Sequence, residues 1–319
     1  MKRIWIGIMI LAGSLLWGAQ TLTPVREIRA DGVVEDMVLR SGKLLFGTGH
    51  GSLQIVDLKD FNVKTLVTLK QIKDFMGDAI DAKVFSVDEI DGRYLLLSDS
   101  GQGGYSDLWI YEGGKLKQIL SARDEKALIK ARFLDRDHIL LGYLSDEASL
   151  LDLTSGKEIY RTQLTESKFS DFALDRETGK AVYGCESGEL TLIEAKNGQV
   201  LKRIVGLHLD NIFGVDIGRR WIIAGGQDRR ASYYNMQTGA KGYFKAHFLV
   251  YAVGLSPKED LAAYAMDEDN TITIYNLETQ MPLYRLKGQK STLDAIVFLD
   301  ETTLFSSSQD NTVMMWKLK

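Results

Sequence analysis

The stretch TLFSSSQDNTVMMWKLK, residues 303 to 319, decides the fold. Its first half is a small-residue-rich apolar run, TLFSSSQD. Its second half, NTVMMWKLK, alternates apolar and polar positions like a half-buried strand and carries an aromatic near its end. Earlier stretches of the same form, NTITIYNLE (270–278) and RASYYNMQT (230–238), continue through a turn into one more strand. After residue 319 no such strand follows, so the partner for this last strand has to come from elsewhere in the chain.

Working back from that ending, the same short unit recurs as LQIVD, LWIYE, SLLD, LTLIE, SYYN, ITIYN and VMMWK. Each closes on a hydrophobic-then-polar pair. The polar members are Asp57, Glu112, Asp152, Glu194, Asn235, Asn276 and Lys317, separated by 55, 40, 42, 41, 41 and 41 residues. A period near 41 suits one four-stranded propeller blade per copy, and the gaps cluster too tightly for a β-sandwich with chance periodicity. About ten residues before each unit lies a continuous apolar strand such as KLLFGTG or WIIAGGQD, as expected for strands crowded on both faces. Before that runs a strand with apolar positions one, four and six, for example Val250-Val253-Leu255 and Leu293-Ile296-Phe298. Turns such as TSGK, KNGQ and QTGA follow, where glycine admits positive φ. A more polar outer strand ends each copy. The expected fold is therefore all-β, a seven-bladed propeller with strands a to d in each blade. The seventh blade lacks strand d, and PVREIR near the N-terminus reads like PLYRLK (282–287), which is a strand d. The N-terminal strand is expected to close the ring, because an open blade would leave unpaired backbone edges.

Residues 1–19 read as a secretory signal, leaving 20–319 as one propeller domain. Lys2 and Arg3 form the charged start, Ile4 to Leu16 is free of charge, and Gly18-Ala19 supplies small residues. The apolar run is short for a membrane span, which wants about twenty residues. Cleavage after Ala19 would place bulky Trp17 where a small residue is preferred. A retained segment would instead anchor the protein to the inner membrane. Otherwise the expected location is the periplasm. Cys185, the single cysteine, excludes an intramolecular disulfide, and no cysteine near the signal allows a lipid anchor. The net charge of −4 argues against nucleic acid, which needs concentrated basic charge.

No catalytic, metal or cofactor motif is legible. The four histidines, His50, His138, His208 and His247, lack the Cys/His spacing of a zinc set. DEDN (267–270) lacks the glycine and terminal glutamate of a calcium loop. SGQGGYSD (100–107) is glycine-rich but lies between strands, whereas a phosphate cradle needs a helix N-terminus. It is instead the b–c connection of blade 2, the long blade with 55 residues against 41. The remaining extra length lies in KQIKDFMGDAID (70–81), before strand a. Connections of types b–c and d–a share one face of a propeller, so both insertions are expected on one rim, where function tends to be carried.

The two residues between positions one and four of each strand a are expected at the channel mouth. In blade order they are Glu35-Asp36, Lys83-Val84, Ile129-Lys130, Ser170-Asp171, Phe213-Gly214, Tyr251-Ala252 and Asp294-Ala295. This ring reads as acidic across blades 7 and 1, basic across blades 2 and 3, and aromatic across blades 5 and 6. Glu35, Asp36, Lys83, Lys130, Phe213, Tyr251 and Asp294 are the candidate partner-binding residues, with the two aromatics as anchors.

Across residues 22–319 the chain resembles WD-repeat propellers. Asp228, Asp269 and Asp310 stand six residues before Tyr234, Tyr275 and Trp316, where that family places the b–c turn Asp and its Trp. The resemblance implies a structural role for these three carboxylates, each fixing a tight turn. His208 and His247 stand near the family's histidine position and Gln289 replaces it before the last blade, which leaves the His–Ser/Thr–Asp–Trp tetrad incomplete. With its signal segment and length the chain also resembles the NapL-type accessory proteins of periplasmic nitrate reductase systems. That resemblance implies a non-catalytic protein assisting maturation of, or electron supply to, the reductase, with no redox centre of its own. Two alternatives stay open. One is a propeller enzyme, a lactonase or quinone-dependent dehydrogenase, and the other is an outer-membrane protein assembly factor.

Overall fold

The structure, a computed structural model, describes residues 18–319. The signal segment read over residues 1–19 therefore lies almost wholly outside the described residues. Seven four-stranded antiparallel units form the ring. Strands a, b, c and d of blade 1 are Val34–Arg40, Lys43–Thr48, Ser52–Asp57 and Val63–Thr68. Those of blade 2 are Val84–Ile90, Arg93–Asp99, Ser106–Glu112 and Lys115–Leu120, and those of blade 3 Leu128–Phe133, His138–Tyr143, Glu147–Asp152 and Lys157–Gln163. Blade 4 has Phe169–Asp175, Lys180–Cys185, Leu190–Glu194 and Val200–Ile204, and blade 5 has Ile212–Ile217, Trp221–Gly226, Arg230–Asn235 and Lys241–Lys245. Blade 6 has Val253–Leu255, Leu261–Ala265, Ile272–Asn276 and Pro282–Leu286, and blade 7 has Leu293–Asp300, Thr303–Ser308 and Thr312–Lys317.

The strand missing from blade 7 is Arg26–Arg29. It pairs antiparallel with Thr312–Lys317, Arg26 opposite Met315 and Ile28 opposite Val313. The N-terminal arm does more than the sequence suggested. Gln20–Leu22 adds to blade 6 as a fifth strand, parallel to Pro282–Leu286, and the amide of Lys287 donates to the carbonyl of Leu22 at 2.9 Å. Leu22 is buried in one apolar cluster with Leu286, Leu293 and Trp316. Between the two strands Pro24 crosses against Gly288, where a side chain would come within 2.8 Å of the proline ring, and the φ of 151° there also favours glycine. The arm thus seals two blades rather than one.

The core consists of seven apolar clusters, each spanning one interface between neighbouring blades. The apolar positions one and four of strand a supply the contact. A side chain at Gly47, Gly142, Gly184 or Gly225 in strand b would strike those positions of the next blade: Val84 and Val87, Phe169 and Phe172, Ile212 and Val215, Val250 and Val253. The small residues that marked strand b in the sequence are therefore the price of close blade packing.

Candidate functional site

The channel mouth is shaped by a repeated irregularity of strand a. In six blades the a–b ladder skips the second residue of the strand: Glu35, Phe85, Ile129, Ser170, Phe213 and Asp294. A bulge leaves its extra residue unpaired and re-aims the side chain. Tyr251, just before strand a of blade 6, holds the equivalent place. Glu35, Ile129, Ser170, Phe213, Tyr251 and Asp294 line a central cavity of about 450 Å³, which also takes in Phe85.

Below this ring, the third and fifth residues of strand a stitch the blades together. Asp36 accepts the amide of Val87 at 2.8 Å, and Asp171 that of Val215 at 3.0 Å. Asp88 accepts the amide of Phe133 and Asp216 that of Leu255, both at 2.8 Å. Ser86 does the same with Ala131, accepting its amide at 3.1 Å and donating to its carbonyl at 3.0 Å. Each staple joins one strand a to the next. Over these lies a set of ion pairs. Arg132 of blade 3 reaches past blade 2 to grip Asp36 of blade 1 through both guanidinium nitrogens, at 2.8 and 2.9 Å. Arg176 of blade 4 pairs with Asp88 of blade 2, which also holds Arg40 of blade 1 at 2.8 Å. Lys130 pairs with Asp171. Asp88 is wholly buried, which alone would raise its pKa, but Arg40, Arg176 and Arg132 hold it below the usual carboxylate value.

The expected segregation of the ring is corrected by this network. Lys130 does not make a basic sector, because Asp171 neutralises it. Asp36 is likewise engaged, by Arg132, and is not free for a partner. In blade 2 the expected register slips by two residues: Phe85 and Ser86, not Lys83 and Val84, stand between positions one and four. The slip arises because Lys83 precedes the strand, its carbonyl accepting from Asp99 at 3.0 Å. The ammonium of Lys83 still reaches the mouth, 3.0 Å from Glu35. Phe213 and Tyr251 lie at the mouth and stack, centroids 4.6 Å apart at 22°, with Phe248 tilted against Tyr251 at 6.4 Å. Under them positions three and five hold Gly214 and Asp216 in blade 5, Ala252 and Gly254 in blade 6, and Ala295 and Val297 in blade 7, so this side of the cavity carries mostly small side chains. Burial pushes the Asp216 carboxyl up to about 6. Burial, then Glu35 nearby, pushes Asp294 up to about 7, and its buried Oδ2 has no hydrogen-bond partner.

Sequence reasoning missed Asp88, Arg132, Arg176 and Asp216. A signal existed: Ser86 and Asp88, Lys130 and Arg132 are polar pairs at period two inside otherwise apolar strands, which marks one face as channel lining.

The two insertions of blade 2 meet on the rim. Residues 70–81 form a small hairpin, Ile72–Lys73 paired with Ala79–Ile80. A side chain at Gly101, in the b–c insertion, would collide with the carbonyl of Lys73. At the hairpin tip Phe75 is 93% exposed and Met76 71%.

The turn carboxylates divide. Asp228 accepts the amides of Leu209 and Arg230 at 2.9 and 3.2 Å, and Asp310 that of Thr312 at 2.8 Å. In blade 6 the turn is fixed by Asp267, which accepts the amide of Thr271 at 2.8 Å, and not by Asp269, which lies exposed. The four-residue turn "DEDN" places its first carboxylate, rather than its third, within reach of that amide. The relay implied by the resemblance is more complete than expected. His208 lies 3.0 Å from Asp228 and 2.8 Å from Ser232. In blade 7 the indole of Trp316 donates to Ser306 at 2.8 Å, and Ser306 donates to Gln289 at 2.8 Å, so glutamine stands in for histidine.

Among the described residues no group of three or more His, Cys, Asp and Glu side chains could hold a metal ion, and no helix is long and apolar enough to cross a membrane. No protein-family model matches the chain.

Proposed function

We propose that this protein is a non-catalytic interaction factor of the bacterial periplasm, assisting assembly of or electron delivery to a periplasmic nitrate reductase in the manner of the NapL-type proteins. Its working surface is the channel mouth. The observation that carries the reading is the half-buried Phe213–Tyr251 stack held at the rim by strand-a irregularities. Rigid aromatics at a concave mouth supply large apolar area to a partner at little entropic cost. The channel carboxylates favour this over a lactonase or quinone-dependent dehydrogenase. Such an enzyme needs several acids or histidines converging on one point, whereas Asp36, Asp171 and Asp216 each accept a neighbouring blade's amide. A retained N-terminal segment would add inner-membrane attachment without changing the site.

Calorimetry of the mature protein against each purified subunit of the reductase tests the assignment. Binding at about 10 µM or tighter, lost in Phe213→Ala/Tyr251→Ala, is the expected result. Absence of binding to every subunit overturns the nitrate reductase role. Turnover of a lactone that disappears in Asp216→Asn would install the enzyme reading instead.

A further inference from the structure

The hairpin of blade 2 ends in the largest apolar side chain that the described residues leave uncovered. Phe75 is 93% and Met76 71% exposed. The turn that carries them is fastened. Asp74 Oδ1 accepts the amides of Met76 and Asp78, both at 2.9 Å. The amide of Asp74 donates to the carbonyl of Asp78 at 3.0 Å, and Gly77, at φ 90°, donates back to Asp74 at 3.1 Å. The base is held as well. Gly101 sits against Lys73, Gln71 donates to Asp81 at 3.1 Å, and His50 from the first b–c turn lies 2.8 Å from Asp81. A loop that merely drifts needs none of these bonds. Here the polar groups of the turn are satisfied internally while two large apolar side chains face water.

The charges around the tip narrow what could cover it. Asp74 and Asp78 bracket the two apolar residues, and Asp78 makes no side-chain hydrogen bond or ion pair among the described residues. Lys73 is the cation nearest the tip, with Lys70 and Lys83 at the base of the hairpin. The tip has no basic cluster to draw it to an anionic lipid surface, and two apolar residues alone bury too little for stable attachment. A protein pocket with a basic residue on its edge suits both the rings and the free carboxylate.

We propose that the hairpin is a docking finger whose Phe75 and Met76 enter an apolar pocket of the partner protein, with Asp78 facing a lysine or arginine on the pocket's rim. This rests on the interaction reading above and adds a second contact, on the same rim as the channel mouth. The mouth and the finger would then engage one partner at two points, which fixes its orientation over the channel.

The test places a benzophenone-bearing phenylalanine at position 75 of the full chain in its own periplasm. After irradiation the crosslinked residue is mapped by mass spectrometry. The expected product is one partner protein, crosslinked within an apolar pocket that has a lysine or arginine at its edge. With that partner purified, Phe75→Asp should weaken binding at least tenfold. Asp78→Lys should weaken it about threefold at low salt and less at high salt. Neither change should move the thermal midpoint, because both side chains are exposed. Crosslinks to lipid, to a second copy of this chain or to no discrete protein overturn the proposal, as does wild-type binding by Phe75→Asp. Vesicles of phosphatidylethanolamine and phosphatidylglycerol should show no binding, and saturable binding that Phe75→Asp removes would overturn it too. A partner lost by Phe213→Ala/Tyr251→Ala but retained by Phe75→Asp leaves the mouth reading standing and this one fallen. A partner retained by both variants removes both.

Discussion

Blades 1 to 4 and blades 5 to 7 solve the same packing problem with different chemistry. In the first group strand a carries Asp36, Asp88, Lys130, Arg132 and Asp171, and with Arg40 and Arg176 these form ion pairs that cross from blade to blade through the channel. In the second group the same positions hold Gly214, Ala252, Gly254, Ala295 and Val297, with Asp216 the one charged residue among them. There the rim is aromatic, no ion pair crosses the channel among the described residues, and blades 5 and 6 are joined by Asp216 accepting the amide of Leu255 and by Glu259 accepting the amides of Arg219, Arg220 and Trp221. The difference teaches where a propeller can keep a site. On the function proposed above, the half whose polar groups pair with one another is scaffold, and the half with the aromatic rim is where a partner would dock.

If that division is right, the second half should be the more easily opened. Deleting residues 20–31 removes both arm strands, exposing Val313 and Met315 as an edge and uncovering the cluster around Trp316. Aggregation, or loss of most of the protein's stability, is expected in thermal melting. A truncated protein that melts like the intact one would mean that the arm is not a seal.

The first half should break through its charges. Arg132→Met leaves Asp36 half-buried without its guanidinium and should cost about 3 kcal/mol in urea unfolding. Adding Asp36→Asn to it should restore much of the loss, since the partnerless charge disappears while the side-chain oxygen still accepts the amide of Val87. A double variant as unstable as the single one would show that the cross-channel pair itself supplies the stability.

Function should follow the opposite map. Phe213→Ala/Tyr251→Ala is expected to weaken partner capture at least tenfold, about 1.4 kcal/mol, with a nearly unchanged melting curve. If the double variant unfolds, the stacked rings belong to the core and the half with the aromatic rim is also scaffold.

The smallest effect concerns pH. Asp294, raised from 3.8 to about 7, binds its proton more tightly folded than unfolded. Its contribution therefore favours the fold in acid and is lost as pH rises from about 4 to about 7. Glu35 and Asp310 oppose its ionisation, while Lys83 and Gln309 favour it. Asp294→Asn should match the wild type near pH 4 and exceed it at pH 8 by about 1 kcal/mol, discounted for partial exposure. Equal stability at pH 8 would indicate that Lys83 already compensates the carboxylate.

The ring, its blade count and its N-terminal closure were legible because a period near 41 residues and the small-then-apolar pattern of strand b repeat what each interface needs. The mouth was legible in part. Phe213, Tyr251, Glu35 and Asp294 were placed because positions one and four are unmistakable in blades 1, 5, 6 and 7. Blade 2 was misread because Val84-Phe85-Ser86-Val87 follows Ala82-Lys83, and apolar residues at both 82 and 84 offer two registers. The cross-channel pairs could not be found from spacing. Arg132 and Asp36 are 96 residues apart and meet only because a ring brings blade 3 within reach of blade 1 past blade 2. The parallel strand at Gln20–Leu22 was hidden for another reason: three residues carry too little pattern to announce a strand.

The arm also dictates an order of events. Asn311 donates to the carbonyl of Ala30 across 281 residues of chain, and Arg26 waits for Met315. A chain made from its N-terminus at about 5–20 residues per second exposes its first strand tens of seconds before the partner strand exists. Contacts of such sequence separation are the slow ones to form. Until the last blade is complete, the edges of blades 6 and 7 stand open to any other unpaired strand nearby. The interval between emergence and ring closure is when this protein is most exposed to misassembly, and its length is set by the synthesis or transfer of nearly the whole chain.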